Sequence, residues 1–133
     1  TFFLSNCDTI IRAKYNDIYN FHMESENEIT VVGSMRHFVV PYGVMEISSG
    51  GKLKRMQEKP EQDLLVNTGM YVLEKKTLQY LPKGKSFDTT DLIKEVLARK
   101  GRVGVYPISE KSWLDTGQWG SYEESTKNLI NNL

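Results

Sequence analysis

The sequence lacks the features that mark disulfide-linked, nucleic-acid-binding and membrane-spanning chains. Its 133 residues include one cysteine, Cys7, which excludes an internal disulfide and a zinc site built on several cysteines. Basic and acidic residues number 17 each, so no excess charge attracts nucleic acid or anionic lipid. No apolar run approaches the roughly 20 residues that cross a bilayer. We therefore expect no nucleic-acid or membrane partner, and a reducing, cytoplasmic location.

The residues that are present are typical of one soluble domain. Hydrophobic residues make up 39% of the chain and charged residues 26%, which are ordinary values. The length allows one modest core, so we predict a single domain over residues 1–133. The chain opens directly on the apolar run Phe2-Phe3-Leu4, as if inside a strand. We therefore expect it to be a fragment of a longer protein.

Hydrophobic periodicity predicts alternating strands and helices. The continuous apolar run at Phe2–Leu4 favours a strand covered on both faces, as in a parallel sheet. Apolar spacings of three and four predict a helix from about residue 11 to 27. The remaining predicted elements are strands at Ile29–Val32, Leu64–Leu73 and Val103–Ile108, a hairpin of Val44–Ile47 with Leu53–Glu58, and helices at Asp91–Arg99 and Tyr122–Leu133, the last with a capping box of Ser121 and Glu124. This order predicts the α/β class with a mixed sheet.

Two aspartates stand in similar contexts, far apart in the sequence. Asp8 follows the first apolar strand, and Asp115 lies in Trp113-Leu114-Asp115-Thr116-Gly117 after the last predicted strand. Ligands of open α/β sheets bind at the carboxyl ends of strands, and Mg²⁺ takes one or two carboxylates plus water and phosphate. Each aspartate alone fits an ordinary helix cap or turn residue better. The pair together favours a metal site.

Three other segments carry candidate ligand-binding residues. Pro60 should hold Lys59 extended, so that Lys59 can neutralise a phosphate while Glu58 accepts from sugar hydroxyls. Asn67 and Gly69 interrupt an apolar strand, which indicates either a bulge or a close approach to a ligand. Gly43 has the same two interpretations, a ligand contact or the corner of a turn. Exposed charge at a strand end and a bulge without a ligand explain these segments nearly as well.

Taken in order, these motifs resemble the sugar nucleotidyltransferase family, which includes glucose-1-phosphate thymidylyltransferases and mannose-1-phosphate guanylyltransferases. The resemblance rests on the strand that ends at Asp8, Tyr42-Gly43-Val44, Glu58-Lys59-Pro60, Asn67-Thr68-Gly69 and Trp113-Leu114-Asp115-Thr116-Gly117. Each motif is short, but five in the family's order are specific. The first departs from the family, which usually has Gly-Asp where this chain has Cys7-Asp8.

The resemblance implies a reaction and a set of roles. A sugar 1-phosphate would attack the α-phosphate of a nucleoside triphosphate, giving a nucleotide sugar and pyrophosphate, with Mg²⁺ offsetting charge. Asp8 and Asp115 would hold the metal, and Lys59 would bind the sugar phosphate. Gly43, Glu58, Asn67 and Gly69 would form the sugar pocket.

The resemblance also implies a partial fold. The family's Gly-rich loop, which cradles the triphosphate on backbone N–H groups, is missing from the sequence. The chain would therefore be the carboxyl-terminal, sugar-phosphate-binding half of a Rossmann-like nucleotide-diphospho-sugar transferase fold. We expect this half to be nearly inactive alone and, with an exposed sheet edge, to form homo-oligomers.

Two other functions compete with this interpretation. A glycosyltransferase usually carries Asp-x-Asp at the strand end, whereas Asp8-Thr9-Ile10 lacks the second acid. A non-catalytic module that binds a sugar phosphate or a protein partner fits the missing loop well, and it remains the main alternative.

Overall fold

The computed structural model describes residues 1–117 of the chain. Within that range two α-helices, α1 (Tyr15–Glu24) and α2 (Thr89–Ala98), and three short 3-10 helices accompany eight strands. The strands are β1 (Phe2–Ser5), β2 (Thr9–Ile11), β3 (Ile29–Val39), β4 (Val44–Ile47), β5 (Leu53–Gln57), β6 (Glu61–Leu73), β7 (Val103–Ile108) and β8 (Trp113–Asp115). The predicted helix Tyr122–Leu133, with its capping box of Ser121 and Glu124, lies outside the described residues.

The main sheet is mixed, as the sequence predicts. Its strand order is β1-β6-β3-β7, in which β3 and β7 run parallel and the other neighbours run antiparallel. Two short antiparallel ribbons complete the strands: β2 pairs with β8, and β4 pairs with β5. The predicted α/β class is therefore confirmed. None of the helices within residues 1–117 is both long enough and apolar enough to cross a bilayer.

The two helices cover opposite faces of the main sheet. Side chains of successive strand residues point to opposite faces, and β6 shows this clearly. Val72 packs with Ile18 of α1, whereas Leu73 packs with Leu92 and Val96 of α2. All five side chains are at most 4% exposed. The long strands β3 and β6 thus supply the core of both layers.

The first strand differs from the prediction. β1 is an edge strand that pairs antiparallel with β6, with Phe2 opposite Leu73, and Phe3 and Leu4 are 39% and 40% exposed. The expectation of a parallel strand covered on both faces is wrong for residues 1–117. A run of apolar residues reports a preference for burial, and it does not identify the neighbour or its direction.

Most other elements follow the predictions, but β3 and the first helix differ in length. β3 continues to Val39, whereas its predicted end is Val32. The hairpin is found at Val44–Ile47 and Leu53–Gln57, and the second helix begins two residues earlier than predicted, at Thr89. The first helix is shorter than predicted, because Thr9–Ile11 form β2 and pair with β8. β-Branched residues favour strands, and Ile10 and Ile11 accordingly lie in β2.

An ion pair across β3 and β6 predicts a pH dependence of stability. His37 lies opposite Asp63, with Nδ1 2.8 Å from Oδ1. The pKa of His37 is raised, mainly by the hydrogen bond to Asp63. Desolvation opposes this shift, and the negative charges of Asp63, Glu61 and Glu110 add to it. A raised folded-state pKa stabilises the protein fully below the ordinary value of 6.5. That stabilisation is lost as the pH rises through the folded-state value.

Thermal unfolding of the wild type and of Asp63→Asn, measured from acidic to alkaline pH, tests the prediction. We expect the wild type to unfold at a higher temperature at acidic pH, and the difference to disappear at alkaline pH. The effect should be small, since both side chains are exposed. A difference that grows as the pH rises would contradict the assignment.

Candidate functional site

Asp8 and Asp115 lie together in the structure. Asp8 immediately precedes β2, and Asp115 is the last residue of β8. These strands pair antiparallel with Thr9 opposite Asp115, which places the two aspartates side by side at one end of the ribbon. The structure therefore brings these two residues together, although they are far apart in the sequence. Their role as metal ligands stays a prediction.

The carboxylates converge on the backbone of Gly117. A Cβ atom built at Gly117 would lie 2.8 Å from Asp8 Oδ2 and 3.2 Å from Asp115 Oδ1. The two oxygens are thus no farther apart than the sum of these distances. The Gly117 N–H also donates a hydrogen bond of 3.0 Å to Asp115 Oδ1. A side chain at residue 117 would occupy the space beside both carboxylates, so the glycine keeps that space open.

The donor set at this point suits a hard divalent cation. Carboxylate oxygens are the ligands that Mg²⁺ prefers, and it usually keeps several water or phosphate ligands besides one or two carboxylates. Residues 1–117 contain no group of three or more histidine, cysteine, aspartate or glutamate side chains placed to hold a metal. A site at Asp8 and Asp115 would therefore be an open one, completed by water or by a phosphorylated ligand.

The bulge in β6 is attached to the Asp8 loop. The Asn6 N–H donates to the Gly69 carbonyl at 3.0 Å, and the Thr9 hydroxyl donates to the Thr68 carbonyl at 2.9 Å. Opposite this bulge, the pairing of β3 with β6 shifts register between Val31 and Gly33. The predicted strand irregularity at Asn67–Gly69 is confirmed, and it lies next to the carboxylates.

Gly69 is required for two local reasons. Its φ of +80° lies in the left-handed region that glycine enters without a Cβ clash. In addition, Asn6 Nδ2 lies only 2.6 Å from the position that a Cβ at Gly69 would take. The side chain that approaches this glycine closely therefore belongs to Asn6. Sequence reasoning gave Asn6 no role, and the long sequence separation of the two residues left no local signal.

The side chain of Asn67 uses half of its hydrogen-bonding capacity within the chain. Its Nδ2 donates to the Tyr71 hydroxyl at 2.8 Å, and its Oδ1 accepts from the Gly69 N–H at 3.0 Å. A primary amide has two N–H donors and two acceptor lone pairs. Asn67 is exposed and keeps one of each for a ligand.

Gly43, Glu58 and Lys59 form a second group, at the base of the β4–β5 hairpin. Glu58 Oε2 lies 3.0 Å from the position of a Cβ at Gly43, and the Lys59 N–H donates to the Tyr42 carbonyl at 3.2 Å. The prediction that Pro60 holds Lys59 extended is wrong, because Lys59 has a φ of +43°. The tight turn into β6 and the hydrogen bond to Tyr42 impose this unusual conformation.

The second group precedes the start of β6, whereas Asn67 lies inside that strand. The chain passes from Lys59 into β6 and reaches Asn67 only after the segment Glu61–Val66. An extended strand of that length covers up to about 20 Å. The predicted site residues therefore form two groups, one around Asp8 and Asp115 and one around Glu58 and Lys59.

A separate cleft of about 370 Å³ lies at the start of β1 and the end of α1. His22, Glu74 and Lys76 line it, and it includes none of the predicted site residues. The hydrogen bond from the Thr1 hydroxyl is the largest cause that lowers the pKa of Glu74. Desolvation by burial opposes it, and a hydrogen bond from His22 and the charges of the amino terminus and His22 lower the pKa further. Both partners of Glu74 belong to the chain itself, so this cleft is best explained as a structural ion-pair network.

Comparison with known proteins decides the family. The sequence profile of the family described as nucleotidyl transferase matches residues 1–132. The chain belongs to the nucleotidyl transferase family. The resemblance inferred from the five motifs is thereby confirmed.

The matched relatives are considerably longer than the chain. It is 26% identical to the UTP–glucose-1-phosphate uridylyltransferase of Synechocystis sp., over 98% of this chain and 35% of that protein. It is 28% identical to the catalytic subunit beta of mannose-1-phosphate guanylyltransferase of Danio rerio, over 88% of this chain and 33% of that protein. The chain thus spans about a third of the curated relatives it matches. That it corresponds to their carboxyl-terminal portion stays a prediction.

Solved structures share the fold. HddC from Yersinia pseudotuberculosis superimposes with a TM-score of 0.67 at 20% identity, covering 96% of this chain and 55% of that one. The same protein complexed with GMP-PN gives a TM-score of 0.67 at 19% identity. At these identities the likeness establishes the fold alone.

Proposed function

We propose that this chain contributes the metal and sugar-phosphate sites of a sugar-1-phosphate nucleotidyltransferase. In that reaction an oxygen of the sugar 1-phosphate attacks the α-phosphorus of a nucleoside triphosphate. The bond from that phosphorus to the bridging oxygen breaks, and pyrophosphate leaves with the electron pair. Mg²⁺, when bound, offsets the negative charge of the phosphates. The chain's own contribution is to hold the two reactants in the orientation that the reaction requires.

The convergence of Asp8 and Asp115 on Gly117 supports the proposal most strongly. Two carboxylates held close together in a folded chain repel each other unless a cation lies near them. A glycine that leaves the adjoining space open fits the presence of such a cation. We assign both aspartates as ligands of Mg²⁺, with phosphate and water in the other positions.

The second group supplies the proposed sugar-phosphate contacts. The Glu58 carboxylate lies over Gly43, where it can accept hydrogen bonds from sugar hydroxyls. Lys59 takes part in none of the ion pairs within residues 1–117, so its ammonium is available to a phosphate. We assign Asn67, through its remaining donor and acceptor, and Gly69, through the position it gives Asn6, to sugar contacts on the side of the carboxylates.

Replacement of Lys59 by methionine tests the sugar-phosphate assignment. Binding of α-D-glucose 1-phosphate and of mannose 1-phosphate can be measured by calorimetry on the 133-residue chain, with unphosphorylated glucose for comparison. We expect Lys59→Met to weaken binding of the sugar phosphates about 10- to 100-fold, because a charge-assisted hydrogen bond contributes about 1.5–3 kcal/mol. Lys52→Met, in the turn of the same hairpin, is the matched control. Equal loss in both variants would refute the assignment of Lys59.

The same titrations in the presence of Mn²⁺ separate the two groups. Because up to about 20 Å of strand lies between them, Lys59→Met should leave the affinity for Mn²⁺ unchanged. The proposal would fail if the chain bound neither Mn²⁺ nor a sugar 1-phosphate.

A non-catalytic sugar-phosphate-binding module is the second candidate. The position of Lys59 before β6, up to about 20 Å of strand from Asn67, favours it. This alternative predicts binding of sugar 1-phosphates that depends on Lys59, together with weak Mn²⁺ binding that is the same with and without Asp8.

We also propose that the chain is cytoplasmic and self-associates. Its one cysteine, Cys7, is a free and exposed thiol, which suits a reducing compartment. The hairpin exposes several large apolar side chains, which would be covered on association: Val44, Met45, Ile47, Leu53 and Met56. A monomer at all concentrations in sedimentation experiments would contradict the proposed homo-oligomer.

A further inference from the structure

Thr116 makes two hydrogen bonds to one carbonyl group at the proposed metal site. Its backbone N–H donates to the Asp8 carbonyl oxygen at 2.9 Å, and its side-chain hydroxyl donates to the same oxygen at 3.0 Å. A backbone carbonyl has two lone pairs, so Thr116 occupies both. The pairing of β2 with β8 ends at Thr9 and Asp115, which makes Thr116 the residue that extends the contact to Asp8.

In the chain, Thr116 lies between two residues of the proposed metal site. Asp115 precedes it in the chain, and Gly117 follows it and donates its N–H to Asp115 Oδ1. Thr116 therefore connects the backbone that carries one carboxylate to the backbone that carries the other. A displacement of Thr116 would therefore change the distance between the Asp8 and Asp115 side chains.

We propose that the Thr116 hydroxyl is a positioning group for the metal site, acting through the Asp8 backbone. This inference rests on the proposed metal site. The hydroxyl touches neither metal nor substrate; it restricts the Asp8 loop so that the carboxylates converge before a cation arrives. Groups that orient metal ligands in this way typically change metal affinity 10–100-fold when they are removed, which corresponds to roughly 1.4–2.7 kcal/mol.

Valine and serine at residue 116 separate the hydroxyl from the shape of the side chain. Thr116→Val keeps the backbone N–H and the volume but loses the hydroxyl, whereas Thr116→Ser keeps the hydroxyl. We expect Thr116→Val to weaken Mn²⁺ binding about 10-fold, measured by water-proton relaxation, and Thr116→Ser to restore it. The unfolding temperature of the metal-free valine variant should stay close to that of the wild type, since one partly exposed hydrogen bond is lost.

The possible outcomes distinguish this inference from the proposed function. Wild-type affinity in Thr116→Val, or equal loss in Thr116→Ser, would overturn the role of the hydroxyl. The proposed metal site would still stand in that case if Asp8→Asn weakened Mn²⁺ binding. Absence of Mn²⁺ binding by the wild type would instead overturn the proposed function and this inference with it.

Should the valine variant fail to fold, amide hydrogen exchange of the wild-type chain provides the test. Saturating Mg²⁺ should slow exchange of the Thr116 amide, because a bound cation fixes the Asp8 carbonyl that accepts from it, and should leave the Val105 amide in β7 unchanged. Unchanged exchange at Thr116 in a chain that binds Mg²⁺ would overturn the inference.

Discussion

Replacing Asp8 or Asp115 by asparagine should weaken Mn²⁺ binding at least about 10-fold, since even groups that only support metal ligands cost that much when removed. Asparagine keeps the shape of aspartate but removes its charge, so each variant loses a ligand without leaving a cavity. Asp8 is exposed and Asp115 half-buried, so neither substitution should unfold the chain. In the absence of metal, both variants should be at least as stable as the wild type, because two adjacent negative charges become one.

Asp63→Asn is the matched control for this prediction. It removes one exposed carboxylate from the same chain, away from the β2–β8 ribbon. Calorimetric titration of the three variants with Mn²⁺ gives the comparison directly. If Asp63→Asn weakened binding as much as Asp8→Asn, the measured affinity would reflect general surface charge, and the assigned site would be wrong.

Gly69→Ala should destabilise the fold by about 2–5 kcal/mol. An L-residue in the left-handed region costs about 1–2 kcal/mol, and overpacking a filled position costs about 1–3 kcal/mol more. Both penalties apply here, because Gly69 has a φ of +80° and a Cβ would lie 2.6 Å from Asn6 Nδ2. Urea denaturation of the variant and the wild type measures the difference.

Gly50→Ala separates the two penalties. Gly50 has a similar φ of +77° but no atom within 4 Å of its Cβ position, so alanine there should cost only the conformational term of about 1–2 kcal/mol. The double variant Asn6→Ala with Gly69→Ala should recover the excess, since it removes the amide that collides. An equal cost for Gly69→Ala and Gly50→Ala would show that Asn6 does not occupy the space over Gly69.

The sequence was most informative where chemistry and turn geometry coincide. The hairpin turn at Ser48–Lys52, the helix after Asp88 and the bulge at Asn67–Gly69 were all predictable, because each depends on local residue preferences. The family could also be inferred, since five short motifs occur in a fixed order. The pairing of Asp8 with Asp115 was indicated by the similar contexts of the two residues and then by that resemblance, and neither residue indicated it alone.

Other features depend on tertiary neighbours and had no local signal. The antiparallel partner of β1 is a strand far along the chain, and an apolar run does not say which strand it joins. The positive φ of Lys59 opposes the usual restriction before proline and results from the turn into β6. The approach of Asn6 to Gly69, and the double hydrogen bond from Thr116 to Asp8, likewise join residues that only the folded chain brings together.

Paramagnetic broadening of amide signals by Mn²⁺ tests the central claim most directly, because it locates the bound ion without requiring catalysis. We predict that substoichiometric Mn²⁺ first broadens the amides of Asp8, Thr116 and Gly117, and that those of Lys59 and Asp63 persist. Broadening that begins at Asp63 and spares Gly117 would show that the two converging carboxylates do not form the cation site.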